Sequence, residues 1–161
     1  MPYLLDTNVF IQSKNLYYGF DFCPVFWDWL DRGNKSHIVF SIEKVRDELI
    51  AGDDELADWA KQRGADFFLP PSTSTLPSLE LISEWAKNSK YEPSAVNTFL
   101  QVADYYLVAQ AHAERFTVVT HEVVSNSLKI IKIHNACISH NLKVMSPYEM
   151  LRAEKARFVL A

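Results

Sequence analysis

The stretch Tyr3-Leu4-Leu5-Asp6, at the head of the chain, decides how the rest is read. Three consecutive apolar residues suit a short strand buried on both faces, the kind that a parallel sheet uses. The run stops on an acid. In open α/β sheets ligands bind beyond the carboxyl ends of the strands, so a carboxylate there is placed for chemistry. It is equally placed to cap a following helix, a position that Asp favours. Position alone leaves both readings open.

Three more runs predict strands: His37-Ile38-Val39-Phe40, Phe116 to Thr120, and Lys143-Val144-Met145. Helical patterning lies between them. One helix is expected from Pro24 to Leu30 with Gly33 as its stop, and one from Ile42 to Ala51 with Ser41 as N-cap and Gly52 as its end. Others are expected over Asp54 to Arg63, Leu79 to Lys87, and Ser94 to Glu114, the last with a break near Asp104. Residues 69–78 read as a loop. Ser146-Pro147-Tyr148-Glu149 reads as a capping box opening a last helix that runs to about Arg157. Short strands alternating with helices predict a three-layer α/β/α fold around a central, mostly parallel sheet of four to five strands. A length of 161 residues suits one domain spanning 1–161.

A chain that is 48% hydrophobic, with ten Phe, seven Tyr and four Trp, is not a disordered segment. Cys23 and Cys137 stand alone without CxxC spacing, which predicts neither a zinc site nor a disulfide framework and fits a reducing compartment. The start lacks a basic leader and no apolar run is long enough to span a bilayer, so a cytoplasmic protein without membrane contact is expected. Residues 1–128 carry ten Lys+Arg against eighteen Asp+Glu, whereas residues 129–161 carry six against two. A basic end on an acidic body suits a phosphate backbone or an acidic partner protein, or is simply a solvated helix.

Asp104 carries the stronger argument for chemistry. At about 100° per residue, Leu107, Val108 and Ala111 share one helical face, and Asp104 falls at its middle. An ionised carboxylate on an apolar face is costly unless something pairs with it. A helix start at Asp104 would meet part of that cost, and a metal would meet more. Glu48 lies at the border of its helix's apolar face beside Val45 and Leu49, while Glu43 and Asp47 point away; a solvated surface position is the alternative. Glu122 follows Thr120 by two residues, with His121 between them as a base, a ligand or an exposed side chain; a polar loop is the alternative. Four converging carboxylates without a cation would repel and take up protons. A divalent ion removes that conflict, and oxygen-only ligands select Mg²⁺ or Mn²⁺ over zinc.

With these residues in view, the chain resembles the PIN domain family, the VapC-like metal-dependent ribonucleases typical of bacterial toxin–antitoxin pairs. The likeness is carried by Leu5-Asp6-Thr7-Asn8, by Ser41 with Val45, Glu48 and Leu49, by Ala103-Asp104-Tyr105-Tyr106-Leu107-Val108-Ala109, and by Val118-Val119-Thr120. In order and spacing these cover nearly the whole chain. The resemblance implies that Asp6, Glu48 and Asp104 are acidic catalytic and metal-site residues, with Asn8 and Thr120 as polar groups orienting a carboxylate or a water. The fourth acid departs from the pattern. Many members have Asp shortly after the Thr of the third strand, whereas here Glu122 must complete the set with a longer side chain. The Thr120-His121-Glu122 form and the Pro147–Leu151 ending resemble a PIN-like branch of less defined function.

The resemblance therefore implies an endoribonuclease using Mg²⁺ or Mn²⁺ to hydrolyse RNA phosphodiester bonds, the toxin of a bacterial or archaeal type II pair with an antitoxin protein as partner. A homodimer also fits. Acids repel phosphate, so RNA contacts are expected from Arg46, Lys129, Lys132, Lys143 and His121, and a single-stranded substrate is expected. Trp27, Trp29, Trp59 and Trp85 can serve an antitoxin interface or core packing. A haloacid-dehalogenase-like phosphatase is disfavoured, because it needs a second Asp where Asn8 stands. A PIN-like scaffold that binds RNA or protein without cleaving stays open through the altered fourth acid.

Overall fold

The apolar run at the head of the chain forms the middle strand of the sheet. The computed structural model describes residues 2–160. Among them five strands, all parallel, pair as β1 (Tyr3–Leu5), β2 (Val39–Ile42), β3 (Phe68–Leu69), β4 (Thr117–Val119) and β5 (Val144–Met145), in the spatial order β3-β2-β1-β4-β5. Leu4, Leu5, Val118 and Val119 are fully buried, as strands covered on both faces require.

Helices flank this sheet. After β1 come α1 (Thr7–Gln12), a π-helical turn (Ser13–Tyr17) and α2 (Pro24–Lys35). Next are α3 (Glu43–Ala51) and α4 (Glu55–Lys61), then α5 (Thr75–Asn88), α6 (Pro93–Phe99) and α7 (Ala103–Glu114). The chain closes with α8 (Ile133–Ser139) and α9 (Pro147–Ala153). The strands run outward from β1 to β3, then return to the other side of β1 for β4 and β5. The order thus reverses between β1 and β4, and such a switch point opens a crevice at the carboxyl ends of those two strands.

Several local expectations are corrected. Ser41 does not cap α3: it lies in β2, and its hydroxyl donates to the Leu5 carbonyl at 2.7 Å. Ile42 occupies the N-cap without a side-chain bond, because burial extends the strand through it. Gly33 is not a stop either. A Cβ there would come within 2.7 Å of Val39, so the glycine lets α2 lie close on β2 while the helix continues to Lys35. His37 precedes β2 in a turn with φ of 60°. The expected loop at 69–78 already holds the start of α5, with Pro77 tolerated in its first turn. Helix α9 ends at Ala153, short of Arg157.

Other expectations agree. The helix expected over Asp54 to Arg63 is present as Glu55–Lys61, with Asp54 just outside it as the N-cap accepting from Ala57 N–H at 2.9 Å. Ser146 and Glu149 form the reciprocal capping box, at 3.1 and 3.4 Å. The tryptophans pack inward: Trp59 is buried against Phe10, Phe67, Phe68 and Trp27, while Trp29 and Trp85 lie half-buried against the core. Among the described residues no helix is long and apolar enough to cross a membrane.

Candidate active site

The sheet places Asp6 before its side chain matters. Its N–H donates to Val119 O at 3.0 Å, continuing the β1–β4 ladder one residue past the strand. Thr120 is held likewise by Met145 O at 3.0 Å. The two side chains then meet, and the Thr120 hydroxyl donates to Asp6 Oδ2 at 2.8 Å in a buried pair. The same hydroxyl accepts from Glu122 N–H at 3.0 Å, which bends the chain sharply after β4. One threonine therefore sets the direction of both acids.

Glu48 and Glu122 each reach a helix end. Glu48 is exposed, yet both its oxygens are engaged: Oε1 accepts from Ala103 N–H at 3.1 Å and Oε2 from the Thr7 hydroxyl at 2.8 Å. It supplies the cap that Val102, the residue before α7, lacks. Glu122 Oε2 accepts from Ile133 N–H at 2.8 Å and does the same for α8. Asp104 sits half-buried in the first turn of α7. The break expected near it is real, since α6 stops at Phe99 and α7 starts at Ala103.

The electrostatics show that the four acids share one region. Burial pushes Asp6 well above the usual carboxylate range, and the Asp104 charge pushes it further; the Thr120 hydrogen bond opposes this, and Glu122 adds to it. Asp104 is raised to about 7, by burial first, then by Glu122 and Glu48, with Lys132 opposing. Cys137 lies beneath, its thiol raised to about 12 by burial and by the negative field of Asp6 and Glu122. Neither Asp6 nor Asp104 has an ion-pair partner among the described residues.

A cleft of about 380 Å³ opens over this cluster. Glu48, Asp104 and Glu122 line it together with the apolar Phe99, Val102, Ile130 and Ile131 and with Lys129. Among the described residues no three His, Cys, Asp or Glu side chains gather tightly enough for a ready-made metal cage. The cause is visible in the hydrogen bonds: Glu48 and Glu122 are drawn to helix ends. The donor set is still hard oxygen throughout, with two raised, uncompensated carboxylates at its centre, and that chemistry fits a hard divalent cation.

Not every expected residue joins the site. Asn8 is half-buried in α1 and makes no side-chain hydrogen bond among the described residues; its neighbour Thr7, which sequence reasoning passed over, holds Glu48. Arg46 spends its guanidinium on the carbonyls of Ala60, Lys61 and Arg63, tying α3 to the end of α4. Lys143 precedes β5 and so lies at the amino end of the sheet, opposite the cluster. Burial pushes the His121 imidazole down, which disfavours the cationic form expected of an RNA contact. Lys129 and Lys132 do lie near the acids.

Residues 3–158 match a family described as "Domain of unknown function (DUF4411)". The chain belongs to the DUF4411 family. No curated protein matches this DUF4411 chain. A solved structure with a similar fold is the VapBC2 complex from Rickettsia felis bound to a DNA fragment from their promoter. It aligns at a TM-score of 0.55 and 14% identity, covering 91% of the DUF4411 chain and 98% of the other. At that identity the likeness speaks to the fold, which agrees with the PIN-like architecture implied by the sequence.

Proposed function

We propose that the acidic cluster binds Mg²⁺ or Mn²⁺ and that this protein is a PIN-like ribonuclease of the toxin type. The observation that carries the reading is Asp6: a carboxylate 2% exposed at the end of the central strand, facing the charges of Asp104 and Glu122 without a cation of its own. Asp6 and Asp104 would hold the ion, with Glu122 and Glu48 at its flanks. When bound, the ion would activate a water and offset charge on the attacked phosphate.

The chain's own residues prepare that chemistry. Thr120 fixes the Asp6 carboxylate. Glu48 and Glu122 anchor the starts of α7 and α8 around the cleft. Phe99, Val102 and Ile131 add apolar surface to the lining of the cleft. Lys129 in the cleft and Lys132 near Asp104 offer positive charge to a phosphate that the acids would repel. A cleft at the small-molecule scale takes an unpaired nucleotide rather than a duplex groove. Likeness to the VapBC2 complex supports a protein partner, which we take to be an antitoxin whose segment covers the cleft.

The test is cleavage of mixed RNAs with Mn²⁺ by the wild type, Asp6→Asn and Asp104→Asn, with EDTA as control. Metal-dependent cutting by the wild type and loss in both variants supports the reading; equal behaviour of the three sinks it. The use of Glu48 and Glu122 as helix caps favours one rival, a scaffold that binds RNA without cutting. That rival expects RNA to survive intact and to bind equally well in EDTA.

A further inference from the structure

Beside the acids lies an aromatic group that the reaction does not use. Tyr17 is 41% exposed. Its ring centroid is 5.5 Å from that of His121, with the planes inclined by 30°, and 5.6 Å from Tyr148, which meets it edge-on at 86°. His121 and Tyr148 are 5.7 Å apart, so the three rings close on one another. His121 stands directly between Thr120, whose hydroxyl holds Asp6, and Glu122. One peptide step, about 3.8 Å, separates it from each.

The backbone supplies a second, independent observation. Helix α1 widens after Gln12 into the π-helical turn, in which Tyr18 N–H donates to Ser13 O at 2.7 Å. The Ser13 hydroxyl is left buried without a partner. Such turns are rare, pack less well than α-helix and concentrate at functional sites. The widening rotates the residues after Gln12 around the helix axis, and Tyr17 is the last residue of the turn.

We propose that Tyr17, backed by His121 and Tyr148, is a stacking platform for one unpaired base of the strand whose phosphate lies at the acidic cluster. Every base presents a π face, so an exposed ring beside a phosphate site binds single strands with little sequence preference. The platform joins the proposed site through the chain itself, since His121 is the residue between Thr120 and Glu122, and it would recognise a base neighbouring the reacting phosphate. This inference rests on the nuclease reading above.

The experiment uses the full chain carrying Asp104→Asn, so that the strand stays intact, and short unpaired RNAs in which one base at a time is replaced by an abasic site. Affinity is read by fluorescence anisotropy. Tyr17→Leu is expected to weaken binding by about 5- to 150-fold, the range for loss of one stacked base. One abasic position should cost a similar factor, and the two changes together should cost no more than either alone. Tyr17→Phe should keep the affinity. Tyr17→Trp should keep it too and add indole emission quenched on binding, which serves if the leucine variant folds poorly. Unchanged affinity in Tyr17→Leu, or additive losses at every abasic position, overturns the platform while leaving the nuclease reading standing; the rings would then serve packing or a protein partner. The wild type is titrated in parallel with Ca²⁺ in place of Mn²⁺: if it binds RNA and Asp104→Asn does not, the loss belongs to the metal site and the Tyr17 series is read in the wild-type background, whereas absence of binding in both proteins overturns the nuclease reading itself.

Discussion

Asp104→Asn should make the metal-free protein more stable while removing its activity. The Asp104 carboxyl is raised from 3.8 to about 7 in the folded chain. Between those values the folded state holds the proton more tightly than the unfolded state, so stability falls as pH rises through the window. Below about pH 4 both states are protonated and the penalty vanishes; above about pH 8 it is complete. At about 1.36 kcal/mol per unit, the penalty grows by about 2–3 kcal/mol between about pH 5 and pH 8. Asparagine has no charge to desolvate and escapes it. Urea denaturation of EDTA-treated wild type and variant at pH 5, 6, 7 and 8 measures this directly. The difference in unfolding free energy should widen with pH at equal m-values. Saturating Mn²⁺ should narrow it again, since a ligand at 100 times its Kd adds about 2.7 kcal/mol to the wild type and less to a variant that binds it more weakly. Parallel pH profiles with and without the mutation would refute the claim that Asp104 is an uncompensated charge.

Three further substitutions separate scaffolding from chemistry. Glu48→Ala frees Ala103 N–H and the Thr7 hydroxyl, and should cost about 1–2 kcal/mol in urea denaturation even without metal, as loss of a helix cap does. Thr120→Val removes the hydroxyl that orients both Asp6 and Glu122; calorimetric titration should show Mn²⁺ binding weakened by about 10- to 100-fold, as for loss of a partner that holds a ligand in place. Arg46→Ala should lower the thermal midpoint by loosening α3 from α4 and leave the salt dependence of RNA affinity unchanged, since its guanidinium is already spent on carbonyls.

Much of the frame was legible because local physics and topology agree there. Three apolar residues ending on Asp6 read as a strand because β1 is buried on both faces, and Ser146 with Glu149 read as a cap because that motif closes within four residues. What escaped depends on contacts distant in sequence. Ser41 looks like an N-cap, yet its hydroxyl is claimed by Leu5, 36 residues earlier. Strand β3 is two residues long and exists only because β2 offers it a ladder. Helix α8 carries no capping residue of its own, since Lys132 precedes it and Glu122 caps it from across the loop. In the site, Asp104 stood out as a charge on an apolar face, whereas Asp6 was marked only by its place at the end of a strand and by the family resemblance. Thr7 gave no signal beyond following Asp6, and Asn8 matched a family pattern without a partner to meet.

The most direct measurement is a calorimetric Mn²⁺ titration of the wild type, Asp6→Asn and Asp104→Asn near pH 7 in two buffers of different ionisation enthalpy. The wild type is expected to bind one or two ions. Its binding heat should depend on the buffer, because raised carboxyls must lose protons to take the metal. Both variants should bind at least about tenfold more weakly. Binding of equal strength in all three proteins, or no Mn²⁺ uptake by the wild type, would contradict a metal site built on Asp6 and Asp104.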